Sequence, residues 1–177
     1  MGDEEHSSEG DLGWRMCLDA VAALTWNDPA VGNGSVLIRS ARSGDETALA
    51  RVHRLAAPDA YRWVSPERWR DADWATRVAA GGVIVAEEDR IVVGFAVLAR
   101  RELRSLYVEP SSQGQGLGRA LLRASESRLA PGTATLWVIE RNNPACAFYE
   151  RAGWTHDGVR RDDVWGPELR YRKLLPP

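Results

Sequence analysis

The sequence predicts a mixed α/β fold: a central, mostly antiparallel sheet with helices packed on its faces. Three observations carry that expectation. Short β-branched runs such as "SVLIRSA" (Ser35–Ala41) and "TATLWVI" (Thr133–Ile139) suit half-buried strands. Between such runs lie stretches with apolar residues at helical spacing, opened by Ser, Asp or Asn and closed by Gly or Pro. The segment "GVIVAEEDRIVVGFAVLAR" (Gly82–Arg100) holds two β-rich runs around a charged turn, a hairpin, and "ELRSLYV" (Glu102–Val108) follows as a third strand.

In chain order, residues 1–34 differ from the rest. An acidic start, "MGDEEHSSEGDLG", leads into a stretch where Trp14, Leu18, Val21 and Leu24 fall at helical spacing, and "NDPAVGNG" (Asn27–Gly34) reads as a linker. This part is expected to be a loosely held appendage, and residues 35–177 a single domain. After the strand at Ser35–Ala41, a helix is expected over Ser43–Ala57, opened by Ser43 or Asp45. A second is expected over Ser65–Ala80, with Ser65 as cap, Pro66 at the first position and Glu67 in the first turn. Beyond the three-strand run, a helix is expected from Leu117 to about Leu129, with Leu117, Leu121 and Ala124 on one face and Pro131-Gly132 as its stop. After the strand at Thr133–Ile139 comes a short helix with Asn143 as cap, Pro144 at its first position and Gly153 at its end. The strand "ELRYRKLL" (Glu168–Leu175) follows last.

With 177 residues, 44% hydrophobic and 27% charged, the chain has the composition of an ordinary globular domain. Its formal net charge of −2 provides no basic field for nucleic acid, and the run "VRRDDVW" (Val159–Trp165) cancels itself. Two distant cysteines, Cys17 and Cys146, make neither a disulfide framework nor a metal knuckle. No metal is expected: His53 and His156 lack partners at ligand spacing, and both read as packing or surface residues. Cys146 reads as a small core residue. The acidic start is unlike a signal peptide and no apolar run reaches membrane-spanning length, so a cytoplasmic protein without a membrane partner is expected.

The chemistry concentrates in "LYVEPSSQGQGLGRALL" (Leu106–Leu122). Gly114, Gly116 and Gly118 alternate where a strand passes into a helix. Glycine weakens a helix start unless something must approach the backbone there, and a helix N-terminus presents unpaired N–H groups to an anion. Gly118 is followed by Arg119-Ala120, so the Lys-Ser/Thr of a P-loop is missing. A dinucleotide fingerprint fails as well, because position 119 is not glycine.

Gln113-Gly114-Gln115-Gly116-Leu117-Gly118 resembles the Q/R-x-x-G-x-G/A turn of the GNAT acyl-CoA-dependent N-acetyltransferases. "NNPACAFYERAGW", Asn142 to Trp154, resembles that family's N-x-x-A-x-x-F-Y-E-x-x-G-F/W segment, and the element order from Ser35 to Leu175 is similar throughout. The resemblance implies a GNAT-like sheet, splayed at the coenzyme, with acetyl-CoA as cosubstrate. It implies that amides from Gln113 to Gly118 cradle the coenzyme's diphosphate, with Arg119 adding charge. It places the pantetheine arm against the backbone of Leu106, Tyr107 and Val108, and Asn142 against the same arm. Tyr149 matches the family's tyrosine that protonates the leaving sulfur, although on spacing alone it would be a core aromatic beside Phe148.

The base is less defined. The glutamate used by the branch that acetylates protein N-termini falls on Trp137, which takes no proton. Glu102 falls where the histone-lysine branch carries its base, Glu140 is a second candidate, and a water chain is a third. Acceptors in this family meet the first two helices and their loop, here rich in Tyr61, Arg62, Trp63, Trp69, Asp71, Asp73 and Trp74. Aromatics with carboxylates suit a cationic amine, and the same tryptophans would equally serve as packing. The resemblance therefore implies an N-acetyltransferase acting on a small-molecule or peptide amine, with a non-turnover acyl-CoA-binding module as the alternative. A homodimer is compatible with either.

Overall fold

A computed structural model of the chain describes residues 24–26, 36–65 and 72–177. In order these form β1 (Leu24–Trp26), β2 (Val36–Ser40), α1 (Glu46–Ala60), α2 (Trp74–Ala80), β3 (Val83–Glu88), β4 (Ile91–Ala99) and β5 (Glu102–Val108). A 3-10 turn at Pro110–Ser112 leads to α3 (Leu117–Glu126), followed by β6 (Gly132–Ile139), α4 (Asn143–Arg151), β7 (Thr155–Asp163) and β8 (Gly166–Leu175). The strands make one sheet in the order β1-β2-β3-β4-β5-β6-β8-β7. Neighbours are antiparallel except β5 and β6, which α3 joins by a crossover and which are therefore parallel. Among the described residues, no helix is long and apolar enough to cross a membrane.

Both faces of the sheet are covered, which explains why the β3 and β4 runs are apolar throughout rather than alternating. Val83 and Val85 pack with Leu49, Val52, Trp74 and Phe95 beneath α1 and α2. Ile84 and Ala86, one residue out of phase, pack with Leu117, Leu121 and Leu122 of α3 on the other face.

Several elements begin elsewhere than the sequence suggested. α1 opens at Asp45, one of the two openers the sequence offered, but runs past the expected Ala57 through Pro58 to Ala60. Asp45 is almost fully buried and accepts from the Arg42 amide at 2.8 Å and from both Arg39 terminal nitrogens at 2.7 and 3.0 Å. Of the helix expected over Ser65–Ala80, the described part is α2 from Trp74, capped by the Asp73 carboxylate, which accepts from Thr76 N–H at 3.0 Å and Thr76 Oγ1–H at 2.7 Å; residues 66–71, with Pro66, Glu67, Trp69 and Asp71, lie outside the described residues. α4 is capped by Asn142, not Asn143: the Asn142 side chain accepts from Ala145 N–H at 3.2 Å. α3 ends at Glu126, ahead of the expected Leu129. β7 was not foreseen, because its residues, THDGVRRDD, are nearly all exposed and show no apolar alternation. It is an edge strand, and its charges keep that edge from pairing further. The boundary expected at Gly34–Ser35 and the helical spacing from Trp14 to Val21 lie outside the described residues. Leu24, the last residue of that spacing, is in β1, which pairs with β2.

Burial alone would raise the Asp45 carboxyl, but the Arg39 hydrogen bond and the Arg42 amide outweigh it and hold it below its ordinary range. Its stabilising contribution is therefore present above the carboxylate range and lost as pH falls through it. Asp45→Asn should cost about 1–3 kcal/mol at neutral pH. Urea unfolding across a pH series should show wild type and variant converging below pH ~4.

Candidate active site

The site begins with a change of phase in β5. β4 and β5 pair Leu98 with Leu103 and then Val97 with Ser105, so Arg104 is an extra residue, a bulge. Before it, Arg101 C=O accepts from Thr135 N–H of β6 at 2.8 Å. After it, Glu109 N–H donates to Val93 C=O of β4 at 2.9 Å. By antiparallel alternation Ser105 and Tyr107 then also turn their polar backbone groups to β4, while Leu106 and Val108 turn theirs toward β6. β6 does not receive them, because the β5–β6 ladder consists of only Glu102↔Thr135 and Leu103↔Leu136. The Val108 carbonyl is taken instead by the Gln113 side chain, whose Nε2 donates at 3.0 Å.

The divergence opens a cleft of about 1390 Å³. Along one side Gly114, Gly116, Gly118 and Arg119 line it. Gly114 and Gly116 hold φ of +77° and +85°, left-handed values that glycine adopts without strain, and Gly116 is the residue from which α3 starts. Gly118 differs: its φ is not left-handed, and a Cβ there would lie 3.7 Å from the Phe148 ring, an ordinary contact. Ala120 N–H to Gly116 C=O at 3.0 Å is a first-turn helical bond of α3, so the Leu117, Gly118 and Arg119 amides precede it at the helix end. Such a turn offers backbone donors and a positive dipole end to an anion. The turn is tied to the opposite face through Glu109, a buried carboxylate bonded to Arg51 of α1.

Hydroxyls gather deeper in the cleft. Tyr149 of α4 lines it, with the side chain nearly enclosed between Phe148 and Trp154. Burial, with the nearby Tyr61 phenol as a lesser cause, raises the Tyr149 hydroxyl well above ordinary phenol. Tyr107 is raised as well, first by burial and then by Tyr61, to which it is hydrogen-bonded. Both are therefore neutral donors throughout the physiological range.

Residues 79–156 match the family model described as acetyltransferase (GNAT) domain. Over those residues the chain is similar to GNAT acetyltransferase domains. It is 33% identical over 95 residues to the peptidyl-lysine N-acetyltransferase YjaB of Salmonella typhimurium, covering 54% of this chain and 63% of YjaB. It is 35% identical over 141 residues to the mycothiol acetyltransferase of Thermomonospora curvata, covering 70% of this chain and 46% of that protein. The chain thus matches less than two thirds of the length of either relative. The yncA protein of S. typhimurium, solved with its cofactor acetyl-CoA, has the same fold at a TM-score of 0.62 and 20% identity, over 80% of this chain and 95% of that one.

Within the GNAT frame, Leu106, Tyr107, Val108, Gln113, Gly114, Gly116, Gly118, Arg119, Asn142 and Tyr149 all line the cleft. Three other sequence candidates do not. Leu117 is buried in the core, 1% exposed, leaving only its amide for a ligand. Gln115 is exposed and its Nε2 lies 3.4 Å from Ser111 C=O. Glu102 stands where β5 starts, 3.9 Å from Arg104 Nε, and is not part of the cleft lining. Glu140 is held by Arg160 at 2.6 Å. His53 packs edge-on against Trp74 and Tyr107. Cys146 packs against the core, and burial raises its thiol. Among the described residues, no group of His, Cys, Asp or Glu is gathered as metal ligands.

Sequence reading missed the bulge at Arg104, the Gln113 brace and the Tyr61–Tyr107 pair. The first is invisible to alternation, since "ELRSLYV" keeps a strand-like composition whichever way its amides point.

The four tyrosines of the chain, Tyr61, Tyr107, Tyr149 and Tyr171, all sit above the ordinary phenol value, each with burial as the leading cause. A raised phenol keeps its proton when the unfolded chain has lost it, so native stability falls as pH rises above about 10. A near-ultraviolet alkaline titration should therefore show little phenolate until the protein unfolds, then one cooperative step. Early titration of one or more tyrosines by a native protein would contradict these environments.

Proposed function

We propose that the chain transfers an acetyl group from acetyl-CoA to a primary amine by direct attack in a ternary complex. The observation that carries this reading is the meeting of three features in one cleft. These are the glycine turn at the start of α3, the β5 backbone left unpaired at Leu106, and the Tyr149 hydroxyl.

In this reading the amides of Leu117, Gly118 and Arg119, with the Arg119 guanidinium, hold the diphosphate of acetyl-CoA. Its pantetheine arm runs beside Leu106–Val108 and takes the place of the missing β6 partner. The Leu106 N–H then polarises the thioester carbonyl and supports the oxyanion formed when the amine attacks. Nitrogen forms the new bond to the carbonyl carbon, and the C–S bond breaks. The sulfur leaves with the bonding pair and is met by the Tyr149 hydroxyl. A neutral, enclosed phenol suits that role, because a donor near a developing thiolate is worth more where water is excluded. Asn142 has its side-chain oxygen committed to the Ala145 amide, so its nitrogen is the group turned to the coenzyme arm.

The amine's proton is assigned to cleft water rather than to Glu102, which stands outside the lining, or Glu140, which is paired to Arg160. Peptide lysine is one acceptor class that the name of YjaB brings into view. The free Cys146 thiol fits a reducing, cytoplasmic setting. Binding without turnover is the second reading, and it draws on Trp137, an indole stacked against Arg161 at 4.1 Å where a related branch carries its base.

Tyr149→Phe keeps the ring and its packing, so stability should change little, while kcat falls about 10²-fold or more if the hydroxyl is the acid. KM for acetyl-CoA should move far less, since the lost contact belongs to the transition state. Wild-type turnover by the variant, with chemistry rate-limiting, would return Tyr149 to the core. Glu102→Gln supplies the companion measurement: a base role gives a rate that recovers as pH rises, and the water route leaves the profile unchanged.

Acetyl-CoA should also raise the Tm by mass action. That shift should survive in Tyr149→Phe and be lost in Gly118→Val. The backbone of Gly118 is not left-handed, so this substitution adds bulk at the helix end without straining the turn. An undiminished shift would place the coenzyme elsewhere.

A further inference from the structure

One end of the cleft lining, formed by the chain after α1 and by β5 and β6, is aromatic. Tyr61 and Trp63 follow α1, Tyr107 is on β5 and Trp137 is on β6, and all four line the cleft. Hydrogen bonds and charge interactions link them. Tyr61 and Tyr107 share a hydroxyl hydrogen bond. The Trp137 ring lies against Arg161, which pairs with Glu168 at 2.6 Å, and Glu168 in turn acts electrostatically on Tyr61. Tyr61 also acts on Tyr149, so this end adjoins the hydroxyl assigned to the leaving sulfur.

These rings are held in place rather than left to rotate. Trp63 Nε1–H donates to Trp165 C=O in the β7–β8 turn at 3.1 Å. Tyr61 meets Trp63 edge-on at 5.9 Å and 84°, and Trp165 at 5.7 Å and 68°. Tyr107 is wedged by His53 at 5.2 Å and Phe95 at 5.4 Å. Trp137 has Arg161 over its ring at 4.1 Å and Arg170 at 5.9 Å. Yet Trp63 remains 37% exposed, a large apolar side chain fixed in position with surface left uncovered. A fixed ring costs little further ordering when a ligand packs on it, which is the condition for tight and selective contact.

We propose that this end of the cleft is the acceptor subsite and that it selects a primary amine carrying an aromatic ring a few bonds from its nitrogen. The inference rests on the acetyl-transfer reading for the role of its ligand, but not for its existence. The ring of the acceptor packs edge-on or offset against Trp63 and Trp137, as aromatic pairs prefer. The nitrogen then points toward Leu106 and Tyr149. Asp163 and Glu168, which lie near the Tyr61 hydroxyl, favour the approach of a cationic amine. Arg62, Arg104 and Arg141 also line the cleft and oppose it, so charge alone does not choose the acceptor.

Amines of matched charge remove charge from the comparison. Calorimetric titration of the full chain saturated with CoA should show 2-phenylethylamine binding about tenfold or more tighter than n-butylamine. Trp63→Ala should reduce that advantage to about twofold or less, and Trp63→Phe, which keeps a ring, should retain most of it. Because Trp63 is partly exposed, its removal should leave the CoA-induced Tm shift intact, and Trp137→Leu provides an independent second variant. Equal affinity for the two amines, no binding of either, or an advantage unchanged in both the Trp63→Ala and Trp137→Leu variants would overturn the proposal.

Thiol release from acetyl-CoA separates this from the transferase reading. Ring-dependent binding with no thiol release keeps the subsite and sinks the transferase. Release with butylamine at the same kcat/KM as with phenylethylamine keeps the transferase and sinks the subsite.

Discussion

The junction between β5 and β6 has to do two incompatible things, and the rest of the structure is arranged around that conflict. It must join the two halves of one sheet, yet it must leave backbone donors bare where a ligand can reach them. The bulge at Arg104 resolves this by reversing the direction of the β5 amides after a short paired segment. Up to Leu103 the strand bonds β6; beyond Arg104 the groups facing β6 belong to Leu106 and Val108, and β6 has diverged. A buried unpaired amide costs about 1–3 kcal/mol, so such an edge persists only beside a solvent-filled or ligand-filled cleft. Gln113 limits that cost by taking the Val108 carbonyl, and in doing so fixes the start of the glycine turn against the strand it leaves.

With so short a ladder at the junction, other contacts must keep the halves in register. On the α3 side, Lys173 of β8 reaches Glu126 of α3 at 2.9 and 3.0 Å, and Trp154 Nε1–H donates to the same carboxylate at 2.8 Å. On the far side, Trp63 and Tyr61 from the β4–β5 half meet Trp165 from the β8–β7 half. The cleft is thus braced at both ends and open between them.

Much of this was legible in the sequence where one physical signal dominated. The glycine turn was legible because only glycine tolerates φ near +80° at Gly114 and Gly116, and the segment from Asn142 to Trp154 was legible because a cap, a proline and a closing glycine frame its helix. β7 was not, since a doubly exposed strand needs no apolar pattern. The cap of α2 was missed because Asp73 falls inside a stretch that reads as one continuous helix, whereas its carboxylate caps the helix that starts at Trp74. Glu102 shows a limit of the rule that alternate residues along a strand lie on one face. Two residues four apart in a strand share a face only if no bulge lies between them, and Arg104 lies between Glu102 and Leu106.

The same bulge bears on why a tyrosine suits the proposed acid. A carboxylic acid in so enclosed a position would be neutral only by a large upward shift, and an approaching ammonium would draw it back toward ionisation. A phenol begins near pH 10, and burial moves it further from ionising. It therefore cannot be charged by a passing cation at neutral pH, and it enters the attack still holding its proton. The cost is a weaker acid, so full proton transfer to sulfur depends on how strongly the thiolate is desolvated at that moment. In the proposed reaction the Leu106 amide would act on the carbonyl oxygen and the Tyr149 hydroxyl on the departing sulfur. Both are set by where β5 and β6 part, which makes the geometry of that divergence, more than the acidity of any side chain, the quantity on which the proposed rate depends.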